Sequence, residues 1–297
     1  MILAVALLSV GLMTPYGLRR LGGHTSPHLV VAAQMAGLAL AWLAIVDFIS
    51  VWAMPDHGLL GLCRAAFFEP HDFGEVHGEG MLLVTGLALG GRALWTMSKT
   101  YLIVRRTHRQ LSASRAPTSG GLTFAKLGTV ACTVGFMRPR IVVDDTHFAV
   151  LSPAQQRAII AHERSHVRGW HAVIDLVARG LAAGLAPWPG ARIAYGEIRR
   201  HLEAAADDWA AHRTSRRDVA AAIVEAALPP APATVLGATG WAAWRVDRLL
   251  SPPPRLLRHA LVAIALVGLA AMAVLQMSGH AFTGVHLFPL PLPCCTA

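Results

Sequence analysis

Along the chain, long runs that are apolar on every side alternate with segments in which charge returns. Residues 1–18 (MILAVALLSVGLMTPYGL), 29–53 (LVVAAQMAGLALAWLAIVDFISVWA), roughly 80–98, and 257–277 (LRHALVAIALVGLAAMAVLQM) are the apolar runs. A helix needs about 20 mostly apolar residues to cross the hydrocarbon core of a bilayer, so these runs predict about four membrane spans. Asp47 stands near one end of the second, and Arg92 interrupts the third, where it snorkels or faces the bundle interior. The first run carries its positive charge behind it, at Arg19 and Arg20. A cleaved signal peptide carries that charge in front, so a retained span with its N-terminus outside is expected.

The loops give these spans an orientation. Arg19 and Arg20 mark the first loop, Arg64 is the lone Lys or Arg of the second, and Lys99, Arg105, Arg106, Arg109 and Arg115 open the third. The tail 278–297 has no Lys or Arg. Positive charge stays inside, which puts the first and third loops in the cytoplasm and the second loop and tail outside. The expected organisation is three transmembrane helices within 1–98, a cytoplasmic domain over 99–256, a span at 257–277 and a short extracellular tail. No internal repeat is visible, and low complexity is confined to Pro-rich pieces near 229–233, 252–254 and 289–293.

Composition agrees with this organisation. Charged residues are 14% of the 297 and hydrophobic residues 54%, too apolar for an ordinary soluble domain. The net charge of +9 comes almost wholly from arginines bunched in particular loops, without the interleaved aromatics of a base-stacking platform, so no direct nucleic-acid partner is expected. Cys63, Cys132, Cys294 and Cys295 form no C-x-x-C pair, which excludes a cysteine zinc site or thioredoxin-like motif. A bridge from Cys63 to the tail requires both to lie outside the cell.

The candidate chemistry lies in residues 151–171, LSPAQQRAIIAHERSHVRGWH. Ser152 is a good N-cap, Pro153 suits the first helical position and Gln155 completes a capping box, so a helix starts here. On that helix His162 and His166 sit one turn apart on one face, and both imidazoles can reach one metal ion. Zinc accepts neutral imidazole nitrogen in a tetrahedral site. Glu163 is rotated about 100° from His162, beside the ion, where it can take a proton from the attacking water and pass it to a leaving amine. The pattern is H-E-x-x-H. A solvated helix with two surface histidines is the plain alternative, and a third ligand decides between them.

His171 almost follows a known longer spacing, H-E-x-x-H-x-x-G-x-x-H, but falls one residue short, with Ala172 at the required place. It reads as an interfacial residue or as a group behind a ligand. Glu203, in IRRHLEAAADDWAAHR, is the better third ligand. That stretch reads as a helix with Glu203 and Asp207 one turn apart, so Glu203 can complete the site while Asp207 orients a ligand histidine. The alternative is a solvated acidic face that includes Asp208 and pairs with Arg199, Arg200 and Arg213. Between the two helices lies HAVIDLVARGLAAGLAPWPGARIAYGEI, apolar enough to suggest another span. A single crossing would put Glu203 and His162 on opposite sides of the bilayer. The segment is therefore expected to lie at the membrane surface or to dip in and return, with the active site near the cytoplasmic leaflet.

Taken together, VGFMRPRIVVDD…LSPAQQRAIIAHERSHVRGWH, the break at PWPG and LEAAADDWAAHR resemble the M56 metallopeptidases of the BlaR1/MecR1 type. They are more distantly similar to the M48 (Ste24/HtpX-like) enzymes. The segment VACTVGFMRPRIVV resembles the strand pair before that family's catalytic helix, and AAWRVDRLLSPP the segment before its last span. The resemblance covers about 120–275. It implies a mainly α protein, with multi-pass membrane helices and a cytoplasmic gluzincin-like zinc protease domain that contains a small β element. It also implies zinc ligands His162, His166 and Glu203, general base Glu163 and a supporting Asp207. The implied activity is endopeptidase cleavage of a protein substrate, the family's known substrate type being a cytoplasmic transcriptional repressor. A quality-control protease like the M48 relatives and a non-catalytic membrane sensor are the alternative readings. Antibiotic-sensing members carry a large extracellular penicillin-binding domain after the last span. Here residues 278–297 occupy that place and S-x-x-K is absent, so direct β-lactam sensing is not expected.

The predicted outer loop, EPHDFGEVHGEG, concentrates Glu69, His71, Asp72, Glu75, His77 and Glu79, with His57 nearby. It is either a solvated acidic loop or a divalent-metal sensor.

Overall fold

The computed structural model describes residues 14–19, 26–53, 79–113, 118–127, 129–227 and 236–251. The span expected at 257–277, most of the one at 1–18, the outer loop, the tail, and Cys63, Cys294 and Cys295 lie outside the described residues.

The described chain is mostly helical with one small sheet. Two long helices come first, α1 (Pro27–Ala53) and α2 (Glu79–Ala113). The stretch Pro27–Val46 of α1 is, among the described residues, the helical segment long and apolar enough to cross a membrane. The residues expected as the third span, roughly 80–98, lie within a longer helix. That helix does not stop near 98 but runs to Ala113, taking in Arg92, Lys99, Arg105 and Arg106, and it does not reach the same standard of length and apolarity. The reason is local: residues 99–113 contain no Gly, Pro or cap that would end the helix where the apolar run ends.

A four-stranded sheet follows, built from β1 (Thr118–Ser119), β2 (Leu122–Phe124), β3 (Ala131–Val134) and β4 (Arg140–Val143) in the order β1-β2-β4-β3. β3 and β4 fall in the segment that resembles a strand pair and run antiparallel, with Cys132 opposite Val142, and β2 pairs parallel to β4. Ile141, Val142 and Val143 are buried. Asp144 then caps the short α3 (Asp145–Ala149), accepting from the backbone N–H groups of Thr146 and His147.

Helix α4 (Pro153–Arg168) starts as its sequence requires. The Ser152 side chain accepts from Gln155 N–H, and the Gln155 side chain accepts from Ser152 N–H. The chain turns sharply at its end through Gly169 and Trp170, the latter with a left-handed φ of 53°. It continues as α5 (His171–Gly184), reverses over Leu185–Trp188, and returns as α6 (Pro189–Ala211). This hairpin brings Glu203 back to the side of α4 that carries His162. Helices α7 (Arg216–Ala227) and α8 (Leu236–Leu250) close over α4 and α6.

Two alanine-rich cores hold these helices. One joins Val31, Leu38 and Ala41 of α1, Ala178 and Ala182 of α5, and Ala191, Ala194, Ile198 and Leu202 of α6. The other joins Ala158 and Ala161 of α4 with Ala210 of α6, residues of α7 and Leu249 of α8. Small side chains let backbones approach closely. A Cβ at Gly184 of α5 would lie 2.2 Å from the Trp42 ring and 2.9 Å from the Leu89 carbonyl oxygen.

Candidate metal centre

Helical spacing places His162 and His166 on the face of α4 that meets α6. Their Nε2 atoms are 3.1 Å apart. Glu203 of α6 lies across from both, with Oε2 3.4 Å from His162 Nε2 and Oε1 3.6 Å from His166 Nε2. The three residues offer donor atoms that lie within 4.8 Å of one another.

Each imidazole is held through its other nitrogen. His162 Nδ1 donates to Asp207 Oδ1 at 2.9 Å, which fixes its tautomer and leaves Nε2 for the centre. His166 Nδ1 lies 2.9 Å from His171 Nδ1, one donating to the other. His171 is buried and folds back onto His166 because Gly169 leaves room; a Cβ there would stand 2.5 Å from the His171 ring. Of the two sequence readings for His171, the residue occupies the place of a group behind a ligand.

Does a divalent ion fit? Zinc bonds of about 2.0–2.2 Å in a tetrahedral arrangement put neighbouring donors about 3.3–3.5 Å apart. The two Nε2 atoms are 3.1 Å apart, and the two oxygens of Glu203 each face a different one of them, at 3.4 and 3.6 Å, close to that spacing. Two imidazoles and one carboxylate, with donor atoms within 4.8 Å of one another, form a donor set that suits zinc.

Glu163 is buried beside the triangle. The Thr133 hydroxyl, on edge strand β3, donates to its Oε2 at 2.7 Å. Burial raises the Glu163 pKa against the lowering influence of His162, which keeps its carboxylate basic. Burial opposes charge on His162 too, but the hydrogen bonds to Asp207 and Glu203 prevail and raise its pKa to about 10. His166 has no such carboxylate behind it, and burial together with the His162 charge lowers its pKa to about 4. Burial works against ionisation of Glu203 and Asp207, yet their cationic neighbours His162 and Arg245 hold both carboxyls below the usual range.

The sequence reading did not single out Arg245 of α8. Its Nε and Nη2 donate to Asp207 Oδ2 and Oδ1 at 2.7 and 2.6 Å, a bidentate pair, and its Nη1 is 3.1 Å from Glu203 Oε2. Arg248, one turn on, donates end-on through Nη1 and Nη2 to Asp208 Oδ1 and Oδ2 at 2.8 and 2.6 Å. Glu203, Asp207 and Asp208 are therefore partnered by α8. Arg199 and Arg200 instead lie near Asp175 and Glu197, and Arg213 stacks on the Trp209 ring at 3.4 Å. A helix reading WRVDRLL, with two arginines three residues apart among apolar neighbours, was the available signal. Thr133 had none beyond its place in a strand. Cys132 is a free thiol, its pKa pushed to about 11 by burial and by the Glu163 charge.

No protein-family model matches the chain, and no curated protein matches it.

Proposed function

We propose that this chain is a membrane-embedded zinc endopeptidase that hydrolyses peptide bonds of a protein substrate at the cytoplasmic face, in regulated proteolysis of a transcriptional repressor. One observation carries the reading. His162, His166 and Glu203 present converging donors, with a buried carboxylate, Glu163, immediately beside them.

Zinc held by those three residues supplies Lewis acidity, stabilising negative charge on the scissile carbonyl oxygen and making water a stronger acid. The chain's own groups do the rest. Glu163 accepts a proton from the water that attacks the carbonyl carbon, then delivers it to the amide nitrogen as the C–N bond breaks. Thr133 fixes the rotamer of that carboxylate. Asp207, itself clamped by Arg245, keeps the His162 proton on Nδ1. The same Arg245 draws Glu203 toward the centre. The repressor as substrate and the cytoplasmic side rest on the family resemblance and on the arginine distribution of the loops, and the apolar Pro27–Val46 segment supports attachment to a bilayer.

The test is the purified Glu163→Gln protein. It should bind zinc at one equivalent, by elemental analysis, and lose about 10²–10⁴-fold in peptide-bond cleavage. Undiminished cleavage would refute the role of Glu163, and absence of zinc from the wild-type protein would favour a non-catalytic sensor. Comparing the proteomes of wild-type and Glu163→Gln cells should reveal one regulatory protein that ceases to be cut; a broad set of stabilised membrane proteins would favour quality control instead.

A further inference from the structure

The side of α4 turned away from the metal centre carries a second set of residues for which the peptidase reading has no use. At 100° per residue Arg157, Arg164 and Arg168 fall within about 40° of one another, and roughly opposite His162. All three are exposed. They line a groove of about 550 Å³ with Ile160, Trp209 and Arg213, the last reaching in from the turn after α6. Among the described residues none of these four arginines forms an ion pair, and no acid lines the groove. The contrast with Arg245 and Arg248, each locked onto a carboxylate, is sharp.

Four guanidiniums lining one recess that holds no carboxylate repel one another, Arg213 being held only by the ring and carbonyl of Trp209, and an anion relieves that repulsion. They come from two elements and line one groove. A carboxylate has two oxygens in a plane, which two forks exhaust. A phosphate group offers more oxygens in a tetrahedral array and can accept from three or four donors at once. The walls are partly apolar, from Ile160 and the Trp209 ring, which suits a ligand with an organic body next to its phosphate. The volume lies in the usual range for small-ligand pockets, about 300–1,000 Å³.

We propose that this groove on the back of the catalytic helix is a binding site for a phosphate-bearing anion, supplied either by an anionic lipid headgroup or by a free phosphate compound. The site is independent of the peptidase reading, because its readout is binding and not cleavage.

The full chain, purified in a zwitterionic detergent, is titrated with inorganic pyrophosphate by calorimetry and with dioleoylphosphatidylglycerol or dioleoylphosphatidylcholine by native mass spectrometry. An eight-residue glutamate peptide tests the acidic-protein alternative. Wild type should bind pyrophosphate or phosphatidylglycerol, or both, and the double variant Arg164→Gln/Arg168→Gln should lose about tenfold or more, equivalent to about 1.4 kcal/mol. Arg217→Gln, an exposed arginine outside the groove, should bind as wild type does. Because the substituted side chains are exposed, the variants should keep the wild-type melting temperature, which is measured alongside. Binding of pyrophosphate alone identifies a free phosphate compound, and a preference for phosphatidylglycerol over phosphatidylcholine identifies a headgroup. The proposal is overturned if neither phosphate probe binds, if the double variant binds as wild type does, if Arg217→Gln loses as much, or if the glutamate peptide binds and the phosphates do not.

Discussion

From Pro189 to Leu202, helix α6 gives alanines and Ile198 to α1 and α5, whereas from Glu203 onward it gives carboxylates to α4 and α8. The first half is held mainly by apolar area and close backbone approach, although Glu197 and His201 are also buried there, 3.6 Å apart, and the Tyr195 hydroxyl donates to Asp175 of α5. The second is held by ions that are expensive to bury singly and acceptable only as a closed set. One rigid helix thus ties a segment that packs against an apolar, membrane-length helix to a segment that builds a centre. Damage to the first half should reach the centre only through lost stability, while damage to the second should change metal binding at once.

The largest effect is expected at Asp207. Replacing it by Ala leaves Arg245 buried without its bidentate partner and His162 Nδ1 without an acceptor. Stability should fall by about 3–5 kcal/mol, and zinc affinity by about 10–100-fold in whatever protein folds. The double variant Asp207→Leu/Arg245→Met separates the two losses. It should regain most of the stability, because neither charge remains, and should not regain the affinity. Equal recovery of both, measured by thermal unfolding and zinc titration, would end the division drawn between the halves of α6.

Ile198→Ala tests the other half. Ile198 is fully buried between α6, α1 and α5, and its truncation should cost about 2–4 kcal/mol while leaving zinc affinity unchanged in the folded protein. Gly184→Ala should cost somewhat less, about 1–3 kcal/mol, since the new methyl collides with the Trp42 ring and the Leu89 carbonyl unless α5 shifts. A zinc affinity that fell with either would mean that the two halves are coupled through the helix itself.

What could be read from the sequence follows the same division. The capping box at Ser152, the one-turn spacing of His162 and His166, and the Glu203–Asp207 turn are all local periodicities, and the structure brings those residues together. The α5–α6 reversal was forced by an argument from geometry: both histidines and Glu203 had to reach one point. Arg245 was missed because its partner lies 38 residues away: the spacing of Arg245 and Arg248 in WRVDRLL marks a charged face on an apolar helix but not the carboxylate that face meets. The continuation of α2 past the apolar run was not read either, for a different reason. Hydropathy reports where an apolar run ends, and a helix stops only where caps, Gly or Pro stop it.

Asp144 provides the smallest and cleanest test, because it is a buried carboxylate with no ion to serve. Its oxygens accept from Leu127 N–H at 2.6 Å, from the Thr146 hydroxyl at 2.5 Å, and from the N–H groups of Thr146 and His147. These hydrogen bonds, that of Thr146 first, hold its pKa below the ordinary aspartate value of about 3.9. A depressed folded-state pKa means that the ionised group stabilises the fold fully above about pH 4. That contribution is lost progressively as the pH falls from there through the lower folded value. Asp144→Asn removes the charge and sets an amide N–H₂ against the Leu127 or Thr146 donors, which should cost about 1–2 kcal/mol at pH 7. The difference from wild type should narrow only below about pH 4. Zinc affinity should not move, since Asp144 touches none of the three ligands. A gap of unchanged size from pH 7 to well below pH 4 would mean that the charge on Asp144 contributes nothing to the fold.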